Sequence, residues 1–391
     1  MRPLANGSGC VHHRAGGVSL AKGRNVLTTS TVEQQGAGPG PKGRLRERFL
    51  SGTAILLYLA LFTLLLHFLT NNRYGYHRDE LYFIACGEHL AWGYVDHAPL
   101  VPFVARVSRA IFGDSLFGLR FFPALAGALL VFFTGLLARQ LGGGRFAQVL
   151  AALSALVAPV YLRAANMLCI PIFEQLLWVL CCYLVVLLIK EDNPKLWLLV
   201  GLIIGIGTLA KHSVFFFAFG LLAGLLLTRQ RRFFLSGWLW AGILIACVIF
   251  LPNLLWQINN GWPTLEFLRD LNRTTMRRIT LMEFLAGQAL YLHPLSFVIA
   301  VAGLCYYVFT KEGGRYRLLA WNYIAVLALL IAAKSKIYYL APAYPALLAA
   351  GALVIERATT PLRRPWLRPA AALLLIAGGI VTAPVALPLL P

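Results

Sequence analysis

Long apolar segments alternate with short polar connections along most of this chain. The segments are 15 to 22 residues long, close to the ~20 residues that a helix needs to cross a bilayer. They are residues 49–70, 117–138, 146–162, 170–189, 196–210, 214–228, 237–255, 289–309, 318–333, 338–355 and 370–390. The pattern predicts an all-α polytopic membrane protein, a bundle of about 11 transmembrane helices.

The charges of the connections fall on alternate sides of this predicted bundle. Lys and Arg are concentrated in residues 139–145, 190–195, 228–232, 310–317 and 356–369. Cytoplasmic connections carry an excess of Lys and Arg, so we expect these segments and the N-terminus to face the cytoplasm. The long connections 71–116 and 256–288 then face outward. Their length predicts that the functional site lies on the outer side.

The composition agrees with a membrane protein and argues against other classes. The chain is 59% hydrophobic and 13% charged, which excludes an ordinary soluble domain. Its net charge of +20 could indicate a nucleic-acid partner, but the positive-inside pattern accounts for most of it, so nucleic acid is not expected. Residues 1–48 are Gly-rich and basic, without the apolar core of a signal peptide. They predict a disordered cytoplasmic leader before a membrane domain at 49–391.

The first predicted outer loop gathers carboxylates in a chain that has only 15 acidic residues. Asp79 and Glu80 are followed by two Tyr or Phe residues, and Asp96 by His97. Solvated loop acids are the alternative reading. The aromatic neighbours favour partial shielding from water, and a shielded carboxylate can act as a general base. An adjacent Asp and His can bind a metal or steer a proton.

Cations occur at predicted outer helix ends, where the topology does not favour them. Lys211 ends the segment 196–210, and Lys334 and Lys336 precede the segment 338–355. A Lys at a helix end often reaches to the membrane surface for solvation alone. A cation on the outer side is also suited to binding a phosphate.

Three further features leave two interpretations each. Arg269, Arg273 and Arg277 are spaced by four, so on a helix they form a basic stripe for anionic lipid or for a donor or acceptor headgroup. His293 near the start of the eighth segment is a packing residue or a metal ligand. Glu174, one turn into the fourth segment, is a functional acid or the partner of a cation.

Several segments, in this order, resemble one family. They are YHRDELYF, GYVDHAPLVPFVAR, FGDSLFGLRFFPALAGAL, GTLAKHS, NGWPTLEFLRD and KSKIYYLAPAYPALLAAG. Together, over residues 49–355, they resemble the bacterial family-39-like membrane glycosyltransferases of the GT-C superfamily. These enzymes are related to protein O-mannosyltransferases and to lipid A aminoarabinose transferase.

The resemblance implies a GT-C-like bundle whose long first outer loop carries surface helices. It implies transfer of one sugar from a polyprenyl-phosphate donor to a lipid, glycan or protein acceptor, at the external face of the bacterial inner membrane. Asp79 matches the base, which accepts the acceptor's proton during a single, inverting displacement. Asp96 matches a second acid that places the acceptor or a metal.

The other site residues are assigned on the same resemblance and on their charge. The donor phosphate is assigned to Lys211, Lys336 and Arg120. The acceptor or a lipid headgroup is assigned to Glu80, His97, Arg269 and Arg273. Glu80, Asp96 and His293 are candidate metal ligands, which leaves a divalent metal ion as an option and no certain cofactor.

The chain departs from the family pattern in three places. At the outer start of the fourth segment, where many relatives have an acid, this chain has Pro171 and only Glu174 nearby. His97 stands where the aminoarabinose transferases have a Lys, and the soluble C-terminal domain of longer relatives is not expected. An inactive homologue is therefore one alternative. A transporter or flippase of lipid-linked sugars is the other, but transporters place ionisable groups near the membrane midplane in paired repeats. The charges here cluster at predicted outer ends, which favours an enzyme.

Overall fold

The computed structural model describes residues 51–274, 279–361, 364 and 366–389. The predicted leader at 1–48, Arg277 and Arg278 lie outside the described residues. All regular elements in the described ranges are helices. The α-helices are α1 (Gly52–Thr70), α2 (Arg78–Glu88), α3 (Leu100–Phe112), α4 (Leu116–Leu119), α5 (Phe121–Gln140), α6 (Arg145–Leu156), α7 (Pro159–Ala165), α8 (Ile170–Glu191), α9 (Leu196–Ala210), α10 (Val214–Leu226), α11 (Gly237–Asn259), α12 (Pro263–Thr274), α13 (Leu281–Leu292), α14 (Pro294–Phe309), α15 (Arg317–Ala332), α16 (Tyr344–Thr359) and α17 (Leu367–Ala386). Short 3₁₀ turns cover Arg229–Leu235, Gly313–Tyr316 and Ile337–Ala343.

The described helices include seven that are long and apolar enough to cross a membrane, and up to ten if each of three bent pairs is one span. Helix α9, the segment predicted at 196–210, has only 15 residues. At 1.5 Å per residue it extends about 22 Å, which is less than the ~30 Å hydrocarbon core. The all-α polytopic class is therefore confirmed, while the count of 11 spans is not.

Two of the bent pairs begin their second helix at a proline. Helices α6 and α7 meet at 65°, with Pro159 as the first residue of α7, and α13 and α14 meet at 107°, with Pro294 as the first residue of α14. Proline has no backbone N–H to donate to the preceding turn, so the helix cannot continue straight through it. The predicted segment 146–162 is thus divided into two helices, and the segment 289–309 spans a sharp bend.

Small residues allow the central helices to pack closely. Gly201 of α9 faces the backbone of Gly242 of α11, and Gly303 of α14 faces the backbone of Leu347 of α16, with no room for a Cβ atom at either glycine. In a membrane the hydrophobic effect does not drive helices together, so helix association depends on close packing of this kind between helix backbones. They fix the bundle that carries the connecting loops.

The predicted first outer loop carries two surface helices, α2 and α3, as expected. The side chain of His77 accepts a hydrogen bond from the backbone N–H of Asp79 (3.2 Å), and Glu80 accepts one from the backbone N–H of His77 (2.8 Å). This reciprocal capping fixes the first turn of α2. Arg109 of α3 donates to Glu88 at 2.7 Å and joins α3 to α2. We call the end of the bundle that bears this loop the site end.

Candidate active site

A cavity of about 1190 Å³ lies at the site end. Seven parts of the chain line it, from the first loop to the end of α17. Its lining Asp, His, Lys and Arg residues are His77, Asp79, Asp96, His97, Arg163, Lys211 and His212. Most of the remaining wall is apolar and aromatic. The volume slightly exceeds the range of about 300–1000 Å³ that is typical of small-molecule sites.

The cavity opens onto the surface of the bundle. Leu290 of α13 and Val385 of α17 line it, yet their residues are 69% and 79% exposed. In a chain that spans a membrane, exposed apolar side chains at this position face lipid. The cavity can therefore admit a molecule that has both a polar group and a long apolar tail.

Asp79 lines the cavity from the first turn of α2. Its side chain is 52% exposed, and its Oδ1 lies 3.3 Å from Nε of Arg78. His77 Nδ1 is 3.8 Å from the other carboxylate oxygen. These contacts are loose and exposed, so the carboxylate is free to meet a ligand.

Asp96 lines the same cavity and is held more firmly. The Tyr82 hydroxyl donates to its Oδ1 at 2.7 Å, and Nε2 of His97 is 3.8 Å from that oxygen. Burial, followed by this hydrogen bond to Asp96, raises the pKa of Tyr82, so the phenol remains a donor at neutral pH. Asp96 is thus oriented through Oδ1. Its other carboxylate oxygen has no hydrogen-bond or ion-pair partner among the described residues.

The ring of His97 lies in an aromatic cage. Its centroid is 5.3 Å from that of Tyr82, 5.1 Å from Phe83 and 4.7 Å from Tyr94. Burial lowers the pKa of His97, so the imidazole is neutral at pH 7. The residue that stands in place of a family Lys therefore brings no positive charge to the cavity.

Glu80 and Arg120 form a buried ion pair away from the cavity wall. Arg120 donates to both carboxylate oxygens, at 2.8 and 2.6 Å. It also donates to the backbone carbonyls of Asn71, Tyr74 and Gly75. Neither residue is among those that line the cavity. This geometry gives the pair a structural role, and it does not support the predicted headgroup role of Glu80 or the phosphate role of Arg120.

Glu174 and Lys211 form a second ion pair, with Lys211 at the cavity wall. The Lys211 ammonium donates to Glu174 at 3.0 Å and lies 3.7 Å from the centroid of the Tyr339 ring. Ser213 donates to the other oxygen of Glu174. The predicted placement of Lys211 at the end of α9 is confirmed, and Glu174 is the partner of a cation, which was one of its two interpretations.

Arg163 is a cavity residue that the sequence did not single out. It lies in α7, lines the cavity, and is exposed. No carboxylate pairs with it among the described residues, so it is a positive charge without local compensation. The signal in the sequence was a lone Arg just after an apolar segment on the predicted outer side, where positive charge is not favoured by topology.

Helix α12 forms one wall of the cavity with its apolar face. Phe267, Leu268 and Leu271 line the cavity, whereas Arg269 and Arg273 are exposed and do not. The predicted helical stripe is therefore present, but its described members face away from the cavity.

The first turn of α12 is tied to the first loop. The Thr264 hydroxyl donates to the Tyr94 carbonyl at 3.2 Å. It also accepts a hydrogen bond from Gln257 of α11 at 2.6 Å. Asn253 of α11 donates to the carbonyl of Trp92 at 2.6 Å and faces Nε2 of His212 at 3.0 Å. These bonds hold the two long loops together over the cavity.

The remaining predicted ligands are not gathered in the cavity. Lys336 is half-buried beside the lining residue Ser335 but is not itself a lining residue. His293 is buried against Gly378 of α17, and Glu80 is buried with Arg120. Within the described ranges, no three His, Cys, Asp or Glu side chains are grouped to hold a metal. The residues that are present therefore do not fit the predicted metal set of Glu80, Asp96 and His293.

Comparison with known sequences identifies one family model. Residues 96–256 match the model described as dolichyl-phosphate-mannose-protein mannosyltransferase. This range includes Asp96, Arg163 and Lys211. No curated protein matches the chain significantly.

Solved structures of two membrane proteins share the fold. ArnT from Cupriavidus metallidurans bound to undecaprenyl phosphate is 18% identical, with a TM-score of 0.64 over 85% of this chain and 64% of ArnT. Its apo state matches equally, at 19% identity and a TM-score of 0.64, with the same coverage. The Archaeoglobus fulgidus oligosaccharyltransferase tethered with an acceptor peptide is 17% identical, with a TM-score of 0.53 over 83% of this chain and 54% of that protein.

The chain spans 64% of the length of ArnT, so the likeness establishes the architecture alone. ArnT and the oligosaccharyltransferase are both glycosyltransferases of the GT-C superfamily. This protein is therefore a multi-pass membrane protein with the GT-C fold, and its predicted resemblance to that superfamily is confirmed.

Proposed function

We propose that the protein is a glycosyltransferase that moves one sugar from a polyprenyl phosphate to an acceptor hydroxyl at the external face of a bacterial inner membrane. The observation that carries this proposal is the cavity, because it combines two carboxylates, two cations and an apolar opening toward lipid. A polyprenyl-phosphate sugar has a matching set of parts: a reacting sugar, an anionic phosphate and an apolar tail. The solved ArnT complex contains undecaprenyl phosphate, which is a ligand of this class.

The reaction is a single displacement at the anomeric carbon. The acceptor oxygen forms a bond to that carbon, and the bond from the same carbon to the phosphate oxygen breaks. The acceptor proton passes to a carboxylate of the enzyme, and the phosphate leaves with the bonding electron pair. Attack from the side opposite the phosphate inverts the configuration of the sugar.

Asp79 is the carboxylate best suited to accept the proton. It lines the cavity, is half exposed, and has only loose contacts with Arg78 and His77. Asp96 already accepts a hydrogen bond of 2.7 Å from Tyr82, so one of its oxygens is engaged by the protein. We assign Asp96 to orienting the acceptor hydroxyl.

Arg163 and Lys211 are suited to bind the donor phosphate and to stabilise the leaving group. Both line the cavity, and Arg163 has no carboxylate partner among the described residues. Fixed cations at the place where negative charge develops lower the barrier because they need no reorganisation during the step. After transfer, the same cations hold the product polyprenyl phosphate.

The test is sugar transfer by the full chain reconstituted in lipid. Undecaprenyl phosphate carrying radiolabelled mannose, glucose or arabinose is supplied together with membranes from the source cells as acceptor. We expect labelled acceptor with wild type. Asp79→Asn should reduce transfer at least about 100-fold, as loss of a general base does. Arg163→Ala should reduce it by about the same factor, as loss of an electrostatic stabiliser does.

Arg106→Ala is the matched control, because Arg106 is an exposed Arg of the same loop that does not line the cavity. It should transfer as wild type does. Equal transfer by Asp79→Asn and wild type would remove Asp79 as the base. Label that crosses the bilayer without reaching an acceptor would indicate a transporter, and donor binding without transfer or transport would indicate an inactive homologue.

A further inference from the structure

Gln175 is a buried amide at the wall of the cavity with no hydrogen-bond partner. It lies in the second turn of α8, next to Glu174 in the sequence. It lines the cavity and has 0% exposure. Neither its amide oxygen nor its amide nitrogen has a partner in the described part of the chain.

A buried amide without a hydrogen-bond partner destabilises the folded protein. Gln175 differs in its position from the other buried residues that have unpartnered side-chain atoms. A buried polar group without a partner loses its hydration and gains nothing in return, and in a membrane no water is at hand to replace it. The other described residues with unpartnered buried side-chain atoms are His67, Asn71, Ser108, Gln148, Trp178, Trp197, Gln230 and His293. None of these lines the cavity, so Gln175 alone in this set can find its partner in a cavity ligand.

The chemistry of the amide restricts the ligand group that it can satisfy. Its nitrogen donates and its oxygen accepts, so a full match needs a group that does both. A phosphate at neutral pH mainly accepts, which would leave the amide oxygen unpartnered, and a polyprenyl tail does neither. A sugar hydroxyl, or a pair of neighbouring hydroxyls, does both.

We propose that Gln175 binds hydroxyl groups of the donor's sugar and helps to determine which sugar is accepted. This inference rests on the function proposed above and adds a specificity residue to it. The position agrees, because the neighbouring Glu174 holds Lys211, to which we assign the donor phosphate. The sugar is bonded directly to that phosphate, so its hydroxyls lie within a few bonds of the phosphate that Lys211 would bind.

The experiment compares two kinds of ligand and three variants of the full chain in lipid nanodiscs. The ligands are undecaprenyl phosphate and undecaprenyl phosphate carrying mannose, glucose or arabinose. We expect wild type to bind at least one sugar-bearing ligand more tightly than the bare phosphate. Gln175→Leu should weaken the binding of that ligand by about tenfold, the effect of losing two hydrogen bonds. Its binding of bare undecaprenyl phosphate should change less than about twofold.

Two further variants separate ligand recognition from folding. Gln175→Glu keeps acceptor oxygens but loses the donor, so it should shift the preference among the three sugars. Gln148→Leu removes a buried amide that does not line the cavity, and should change neither binding constant. Because Gln175→Leu removes an unsatisfied amide, its thermal unfolding midpoint should equal or exceed that of wild type.

Three outcomes would overturn the proposal in distinguishable ways. If Gln175→Leu keeps the wild-type preference for the sugar-bearing ligand, Gln175 does not contact the sugar. If it weakens both ligands equally or lowers the unfolding midpoint, its role is structural. If wild type itself does not prefer any sugar-bearing ligand and does not transfer sugar, the proposed function fails, and this inference fails with it.

Discussion

Two buried carboxylates at the site end each hold a cation, but only one of the two cations faces the cavity. The side chain of Glu80 is 0% exposed and that of its partner Arg120 is 4% exposed. The side chain of Glu174 is 1% exposed, whereas that of Lys211 is 18% exposed and lies at the cavity wall. The two pairs have the same charges, so the difference lies in how many donors of the cation are already used.

Arg120 is saturated by the protein. Its guanidinium group donates to both oxygens of Glu80 and to three backbone carbonyls of residues 71–75. Glu80 in turn accepts from the backbone N–H of Leu168 at 2.9 Å and from that of His77. The pair therefore joins three separate parts of the chain, and it has no donor left for a ligand.

Lys211 is only partly satisfied. One of its three donors meets Glu174, and the ammonium also rests on the face of Tyr339. The remaining N–H donors of the ammonium are available to a ligand in the cavity. A saturated pair thus supports the fold, and an unsaturated pair can bind an anion.

The largest effect is expected from breaking the saturated pair. Arg120→Ala leaves the Glu80 carboxylate buried without its cation, which typically costs about 3–5 kcal/mol of folding stability. Three backbone carbonyls lose a donor as well. We expect a strongly lowered unfolding midpoint in detergent and a poor yield of folded protein. Thermal unfolding followed by circular dichroism measures this effect.

Arg109→Ala is the matched control in the same loop. Arg109 bridges Glu88 and Asp114, whose side chains are 49% and 75% exposed. Exposed ion pairs contribute about 0–1 kcal/mol, so this variant should unfold close to wild type. Equal losses from Arg120→Ala and Arg109→Ala would mean that burial does not distinguish the two contacts.

A second variant should separate binding from stability at the unsaturated pair. Lys211→Met combined with Glu174→Gln removes both charges while it keeps similar side-chain volumes. Neutral replacement of a buried ion pair is often close to neutral for folding, so we expect a change within about 1 kcal/mol. Binding of radiolabelled undecaprenyl phosphate should weaken about tenfold, because a cation that meets the phosphate is lost.

The corresponding double variant of the other pair, Glu80→Gln with Arg120→Met, sharpens the contrast. It should lose stability, since Met cannot donate to the backbone carbonyls that Arg120 satisfies. If this variant is stable and the Lys211 variant binds undecaprenyl phosphate as wild type does, the distinction between saturated and unsaturated pairs is wrong.

The sequence could predict the bundle but not which charges face the cavity. Apolar length and basic connections identify the helices, and Lys211 stands out as a cation at a helix end. Glu80 and Arg120 show the same local pattern, an ionisable residue beside a predicted outer helix end. Only their contact across 40 residues of sequence reveals that they neutralise each other.

Arg163 shows the opposite limit of sequence reasoning. The apolar segment 146–162 predicts one span, which leaves Arg163 at the start of a connecting loop. The break before Pro159 tilts α7 by 65° and places Arg163 in the cavity lining. The proline was the local signal for the break, but the direction of the second helix depends on the helices packed around it.

The smallest effect concerns a third carboxylate and its neighbour, Asp96 and His97, which are not an ion pair at neutral pH. Burial lowers the pKa of His97 below its unfolded value of 6.5, and Asp96 only partly opposes this shift. Between these two pKa values the unfolded chain binds more protons, so the stability that is complete above pH 6.5 is lost as the pH falls below it. We expect the unfolding midpoint of wild type to decrease from pH 7 to pH 5, and that of His97→Gln to decrease less. Because burial also lowers the pKa of His212, adding His212→Asn should reduce the slope further. If His97→Gln leaves the wild-type slope intact, folding does not lower the pKa of His97. If it makes the slope steeper, the folded pKa of His97 is raised, which would make Asp96 and His97 an ion pair of the same kind as Glu174 and Lys211.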